Sequence, residues 1–179
     1  MSVYEKLMDG MSKYVGKPFL FKWGFNLSPM YRRSTGKVIS VSDDMLNICV
    51  RVPISWRNKN YVSSIFGGSM FSAVDPFPMV QLMQLLKKNY VVWDKSAEIF
   101  FKRPAREDLY ADFSYTHEEI AALKQRVAQE KEFTFEKVTQ LTNKDRTTVF
   151  CEVRKQIYIA DRAFYKEKLA KRSAVENRA

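Results

Sequence analysis

From Lys37 onward, apolar and polar residues alternate with a period of two, a pattern typical of β-strands with one buried face. The stretches KVISV and MLNICVRVP flank the polar turn SDD and therefore predict a β-hairpin. Further strands are predicted at 96–104, 109–116, 132–142 and 147–160. Most of their connections are too short for parallel crossovers, so we expect the strands to be antiparallel.

Helical spacing marks the segments around these strands. A capping-box spacing near the N-terminus predicts a first helix up to about residue 15. The aromatic segment 18–36 predicts a covering segment or a short second helix. A second capping box predicts an inserted surface helix over 116–131, and the basic stretch 161–179 predicts a solvated helical tail.

The most apolar helix follows the hairpin and opens at Gly67. Because it is apolar nearly all round, it has to be covered on every side, and one face is expected to need a second subunit. The predicted fold class is therefore α+β: a curved antiparallel sheet of about six strands wraps the central helix. Extra N-terminal, inserted and C-terminal helices surround this core.

Asp75 and Pro76 interrupt this apolar run, and two interpretations remain open. Asp75 can cap a helix over residues 76–88 that begins with Pro76, since proline is tolerated in the first turn. Alternatively, Pro76 kinks a longer helix by clashing with the carbonyl of Ser72, and Asp75 is exposed at the bend.

Length and composition fit one domain over 1–179, with its core at about 36–160. Of the 179 residues, 46% are hydrophobic and 28% are charged, which is a globular composition. No apolar stretch reaches the roughly 18 residues of a membrane span, so we expect a soluble cytoplasmic protein. The net charge of +10 favours an anionic partner: nucleic acid, an acidic membrane surface or a phosphorylated small molecule.

Cysteine and histidine are too scarce for a zinc site. The chain has only Cys49, Cys151 and His117, so no Cys/His metal centre is expected. Both cysteines are predicted to behave as small apolar residues in strands rather than as nucleophiles or a disulfide. His117 begins a capped helix and is expected to be exposed rather than catalytic.

A motif on and before the apolar helix resembles that of hotdog-fold thioesterases related to the phenylacetyl-CoA thioesterase. That family has Asn, then His-Gly-Gly, then Asp seven residues beyond the second Gly; the matching positions are Asn60, Phe66, Gly67, Gly68 and Asp75. The later stretch SAEIFFKRPARE is similar to the family's strand ending in an apolar-basic-Pro-Ala sequence. When the stretch VWDKSAEI is also taken into account, the chain more closely resembles an uncharacterised hotdog family of proposed thioesterases. The resemblance covers roughly residues 36–160.

The resemblance implies a site shared across a homodimer, which can pair again into a dimer of dimers. In that site Asp75 acts as general base or nucleophile, Asn60 orients water or the substrate carbonyl, and Gly67 with Gly68 supplies N–H groups to the oxyanion. From the residues alone, Asn60 can equally be a turn residue, and the glycines can serve close helix–sheet packing. Phe66 replaces the family's His and can neither hydrogen-bond nor transfer a proton.

The resemblance also implies the substrate, an acyl-CoA or other acyl thioester, with no separate cofactor and no metal. Phosphates of CoA are expected to meet basic residues on and after the predicted third strand, and apolar and hydroxyl side chains to contact the rest of the substrate. These predicted contacts are Phe66, Ser64, Phe71, Lys95, Lys102, Arg103 and Arg106. A solvated strand end is the alternative interpretation of the basic group.

Three functions follow from these patterns. The first is acyl-CoA thioester hydrolysis. The alternative, favoured by Phe66, is a noncatalytic hotdog protein that binds acyl-CoA or a fatty-acyl group. Net charge alone suggests a nucleic-acid binder, but no aromatic-basic recognition motif accompanies it, so no nucleic-acid partner is expected.

Overall fold

The computed structural model describes residues 15–176. The first predicted helix lies almost wholly before residue 15 and thus outside the described residues. Gly16 has a φ of 77° immediately before the next helix, a conformation that favours glycine. No helix within the described range is long and apolar enough to cross a membrane.

One antiparallel sheet forms the centre of the molecule, in the strand order β1-β2-β4-β5-β6-β3. The sequence prediction of a six-stranded antiparallel sheet is confirmed. The third strand begins earlier than the predicted residue 96, because residues 90–94 also pair with the last strand. The strands are β1 Lys37–Val41, β2 Asn47–Val52, β3 Tyr90–Phe101, β4 Leu109–Ser114, β5 Glu132–Thr142 and β6 Val149–Asp161.

Helices precede, fill and follow this sheet, as predicted. Segment 18–36 forms short helices rather than an irregular cover. The predicted capping box of the inserted helix is present: the N–H of Glu119 donates to Thr116 Oγ1 at 3.1 Å, and the N–H of Thr116 donates to the Glu119 carboxylate at 2.8 Å. The helices are α1 Lys17–Leu27, α2 Pro29–Arg32, α3 Gly67–Val74, α4 Phe77–Leu86, α5 His117–Glu130 and α6 Arg162–Glu176.

The central helical segment, α3 and α4, packs against apolar residues of the sheet and of α1, α2 and α5, while Ser72, Met83 and Gln84 are exposed. At its middle, the fully buried ring of Phe77 packs against rings from α1, α2 and β4. Farther along α4, Leu82 and Leu86 belong to a second apolar cluster with residues of β3, β6 and α5. Tyr31 fixes α2 to the central segment by donating its hydroxyl to the carbonyl of Ala73 at 2.9 Å. The sheet therefore wraps the apolar helix as the sequence predicts.

The central helix is broken at Asp75 and Pro76. The N–H of Asp75 still donates to Phe71 O at 2.9 Å, and Pro76 O accepts from Val80 at 3.0 Å, so helical hydrogen bonds continue on both sides of the break. Proline lacks the N–H that a continuous helix needs. The capping interpretation of Asp75 is wrong, since α4 begins at Phe77 and no side chain among the described residues caps it. The kink is the interpretation that the structure supports.

Candidate active site

An open groove of about 610 Å³ lies where α3 begins. The loop before α3 forms one wall, and the end of β3 with the residues that follow it forms the other. The groove brings together Asn60, Ser64, Phe66, Gly67 and Gly68 with Lys102 and Arg103, all of them predicted site residues.

Two backbone N–H groups at the start of α3 have no partner in the part of the chain that the structure describes. The Phe66 carbonyl accepts from the N–H groups of Ser69 and Met70, at 3.0 and 3.1 Å. Within residues 15–176, the N–H groups of Gly67 and Gly68 have no acceptor, as expected for the first turn of a helix. They are therefore free to donate to a ligand at the positive end of the helix dipole.

The paired glycines make room for two aromatic rings. A Cβ on Gly67 would lie 2.6 Å from Phe101 Cζ, and a Cβ on Gly68 would lie 2.4 Å from Phe66 Cε1. Both rings are largely exposed, at 58% for Phe66 and 54% for Phe101. Gly67 thus allows close packing against Phe101 of strand β3, and Gly68 allows the Phe66 ring to lie close to the helix terminus. Phe66 forms part of the groove surface at the position that the resemblance gives to histidine.

Asn60 organises the loop that enters the groove. Its Oδ1 accepts from the N–H groups of Val62 and Ser64 at 3.1 and 3.0 Å, and its Nδ2 donates to Ser64 Oγ at 2.9 Å. Asn60 therefore has the turn role that its sequence context suggests. One amide hydrogen of Nδ2 has no acceptor within the described residues, and the side chain lines the groove.

Asp75 does not line this groove. It follows Gly67 by two helical turns, which place it about 12 Å away along the helix axis. Its side chain is 44% exposed at the helix break, and its Oδ1 accepts from Lys155 Nζ at 2.8 Å. A single chain therefore presents the groove and the carboxylate at separate places.

The sequence analysis missed Lys155, which lies on β6 opposite Ala97 of β3. Its side chain is only 2% exposed, and its Nζ donates to both Asp75 and Asp94. The signal was present in the alternation: Lys155 occupies an inward position between Val153 and Ile157. A lysine in an apolar row has to find a partner, since an unpaired buried charge is costly.

Asp94 on β3 is the second acid of this group. Burial raises the pKa of its carboxyl, and the nearby Asp75 acts in the same direction, whereas Lys155 opposes both. Asp94 Oδ1 is buried and accepts no hydrogen bond within the described residues. The three side chains form a compact charged cluster beneath the helix break.

The remaining predicted contacts are dispersed. Lys102 lies over the Phe100 ring, with 5.3 Å from Nζ to the ring centroid, beside the groove. Lys95 instead lies over the ring of Tyr158 at 4.9 Å and does not line the groove. Arg106 is exposed and also lies outside the groove lining, and Phe71 packs against the apolar core.

Metal ligands and reactive thiols are not features of the described residues. Within residues 15–176, no group of three or more His, Cys, Asp or Glu side chains is placed to hold a metal ion. Cys49 and Cys151 are free thiols in strands, and burial raises the pKa of each to about 12. His117 is exposed at the start of α5, as predicted.

A protein-family model decides which family this is. The model for the domain of unknown function DUF4442 matches residues 18–159. The chain belongs to the DUF4442 family. In this DUF4442 chain, the match runs from α1 almost to the end of β6 and includes the groove, Asp75, Asp94 and Lys155. None of the curated proteins matches the sequence significantly.

Solved structures with the same architecture include proteins with thioesterase names. A protein of unknown function from Pseudomonas aeruginosa, named a probable thioesterase, has a TM-score of 0.65 at 16% identity, covering 90% of this chain and 98% of its own. A protein of unknown function from Chlorobaculum tepidum has a TM-score of 0.60 at 16% identity, covering 89% and 94%. Zebrafish thioesterase superfamily member 2 has a TM-score of 0.54 at 14% identity, covering 80% and 95%. These similarities establish the fold, which is the hotdog fold that the sequence motif predicted.

Proposed function

We propose that this chain binds an acyl-CoA in the groove at the start of α3 and hydrolyses its thioester. The observation that carries the proposal is that Gly67 and Gly68, whose N–H groups have no acceptor within the described residues, line a groove together with Lys102 and Arg103. N–H donors suit an oxyanion, and the basic side chains suit phosphate. The thioesterase names of the P. aeruginosa and zebrafish proteins support the same chemistry.

A second copy of the chain supplies the missing acid in this proposal. Asp75 of one chain lies about 12 Å along the helix from its own Gly67, too far to act there. The edge strand β3 is 12 residues long and has no neighbour on its outer side within the described residues. A long open edge is suited to pairing with another chain. Trp93, Phe100 and Phe101 are exposed apolar residues on β3 that such pairing would cover.

The proposed reaction is attack of water on the thioester. The carbonyl oxygen accepts from the N–H groups of Gly67 and Gly68, while Asn60 Nδ2 helps to orient the carbonyl or the water. Asp75 of the second copy takes a proton from water as the new carbon–oxygen bond forms. The carbon–sulfur bond then breaks, and CoA leaves as a thiolate that takes up the proton held by Asp75, which regenerates the carboxylate. The products are the carboxylic acid and free CoA.

Hydrolysis of short, medium, long and aromatic acyl-CoAs, followed as release of free thiol, tests this function. We expect turnover of at least one class, and a loss of about 10²-fold or more in Asp75→Asn. Asparagine keeps an oxygen for Lys155, so the variant is expected to fold. Asp145→Asn, in the exposed turn between β5 and β6, is the matched control. Turnover that Asp75→Asn leaves unchanged would remove Asp75 from the mechanism.

A noncatalytic acyl-CoA binder is the second candidate, favoured by Phe66. The exposed ring lies at the helix terminus and can make apolar contacts, but it has no proton to transfer. This function predicts saturable stabilisation by acyl-CoA without thiol release. It also predicts that Phe66→His does not reduce binding of acyl-CoA. Because histidine restores a titratable group, this variant is the one best placed to gain turnover. Hydrolysis by the unmodified protein would exclude this candidate.

A further inference from the structure

Lys155 is a buried cation whose hydrogen-bonding capacity is fully used. An ammonium group has three hydrogens to donate. Lys155 Nζ donates to the Asp75 carbonyl oxygen at 2.6 Å, to Asp75 Oδ1 at 2.8 Å and to Asp94 Oδ2. With all three hydrogens engaged, Lys155 has none left for a ligand. Its contacts instead fix the backbone and side chain of Asp75 together.

These contacts hold the two oxygens of Asp75 in different surroundings. Oδ1 is tied to a side chain that is 2% exposed, whereas the Asp75 side chain as a whole is 44% exposed. Within the described residues, Oδ2 accepts no hydrogen bond. The contact on Oδ1 therefore leaves Oδ2 as the carboxylate oxygen available to a group outside the chain.

A second acid shares the ammonium group of Lys155 with Asp75. Asp75, Asp94 and Lys155 together carry one negative charge when all three are ionised, so the lysine does not cancel the charge of Asp75 outright. Asp94 lies on the edge strand β3 and Asp75 lies at the helix break, so Lys155 also links these two parts of the fold. An ionised carboxylate can only accept hydrogen bonds, so the outside group that meets Oδ2 must be a donor, such as a water O–H.

We propose that Lys155 is the positioning residue of Asp75: it anchors Oδ1 and the backbone so that Oδ2 faces the donor to be activated in a second copy's groove. Asp94 accepts the third hydrogen bond of Lys155 Nζ and so helps to hold the lysine in place. This inference rests on the proposed hydrolysis. In that reaction, Asp75 is the fixed acceptor of a hydrogen bond from water. Lys155 acts through Asp75 and does not touch the substrate.

Lys155→Met tests the role, because methionine has similar length and no donor. The double variant Asp94→Asn/Lys155→Met avoids leaving two neighbouring carboxylates without a cation and serves as the variant that retains the fold. We expect kcat to fall about 10²-fold in the double variant, with KM within about threefold, because binding in the groove is untouched. Lys137→Met, on the adjacent β5, is the control and is expected to keep both constants. An unchanged kcat in the folded double variant would overturn the proposal.

A measurement that needs no turnover separates this inference from the proposed function. The ammonium group of Lys155 is expected to give a slowly exchanging ¹H–¹⁵N signal, because it is buried and fully hydrogen-bonded. That signal should shift in Asp75→Asn and stay in place in Asp145→Asn. A signal indifferent to Asp75→Asn would show that Lys155 does not hold Asp75. If the signal responds but the unmodified protein hydrolyses no acyl-CoA, the proposed function fails while the contact itself stands.

Discussion

Gly67 and Gly68 lie beneath exposed aromatic rings that can turn away from an added methyl group. We predict that Gly68→Ala keeps its free energy of unfolding within about 1 kcal/mol of the unmodified protein, since alanine is the better helix former. Turnover should fall by about tenfold or more, because the new Cβ displaces the Phe66 ring and crowds the N–H donors. Urea unfolding and thiol release measure the two effects.

Ser69→Ala is the matched control for this prediction, since it alters the same helical turn without adding an atom to either glycine. We expect it to keep both stability and turnover. A Gly68→Ala protein that is as active as the control would show that the reacting group lies away from this helix terminus.

The cysteines provide a prediction that is independent of the site. Burial raises the pKa of Cys49 and of Cys151 to about 12, so at pH 8 only about one thiol in 10⁴ is ionised. The thiolate is the reactive form, and labelling by iodoacetamide at this pH is expected to be at least about 10²-fold slower in the folded protein than in urea. Mass spectrometry follows the reaction. Fast labelling of either folded thiol would contradict the burial of that strand position.

The site residues differ in how far sequence alone can locate them. Residues 60–68 are close in sequence, so the motif gathers them correctly. Lys155 contacts Asp75 across 80 residues, and only the folded sheet brings the two together. Lys95 was grouped with Lys102, yet seven residues of extended strand separate them by about 23 Å. Proximity in sequence therefore overstates proximity along a strand and misses contacts between strands.

At the scale of elements, the inserted helix α5 depends on its N-terminal cap. Thr116→Ala removes the side-chain acceptor of the Glu119 N–H and is expected to lower the free energy of unfolding by about 1 kcal/mol. Thr116→Ser retains the hydroxyl and should recover most of that loss. Urea unfolding of the three proteins gives the comparison. Equal stability of the alanine and serine variants would indicate that packing of Ile120 and Val127, rather than the cap, fixes this helix.

Strand alternation predicted the elements with one buried face but missed the first part of β3. The register of β3 on β6 shifts between Asp94 and Ser96, so the side-chain alternation changes phase near Lys95.

The helix break was foreseeable from Pro76, whereas the role of Asp75 was not. An acid before proline resembles a cap in sequence, and only the buried lysine reveals its actual partner.

At the scale of the whole molecule, the proposed site depends on three features: the wrapped helix, the open edge of β3 and the groove. The groove lies at one end of α3, and the acid lies at the other. In the proposed mechanism, two copies bring them together. The wrapped architecture was predictable because a helix that is apolar nearly all round requires a surrounding sheet, and the motif resemblance indicated the hotdog fold. The pairing of copies remains a prediction, since the fold of one chain does not include its partner.

Chemical-shift mapping with a non-hydrolysable acyl-CoA analogue tests the proposed site most directly, whether or not the protein turns over substrate. We expect saturable shifts of the backbone amides of Asn60, Gly67 and Gly68, together with that of Asp75 supplied by the second copy. Absence of saturable shifts, or shifts confined to residues away from this groove and the helix break, would contradict acyl-CoA binding at the start of α3.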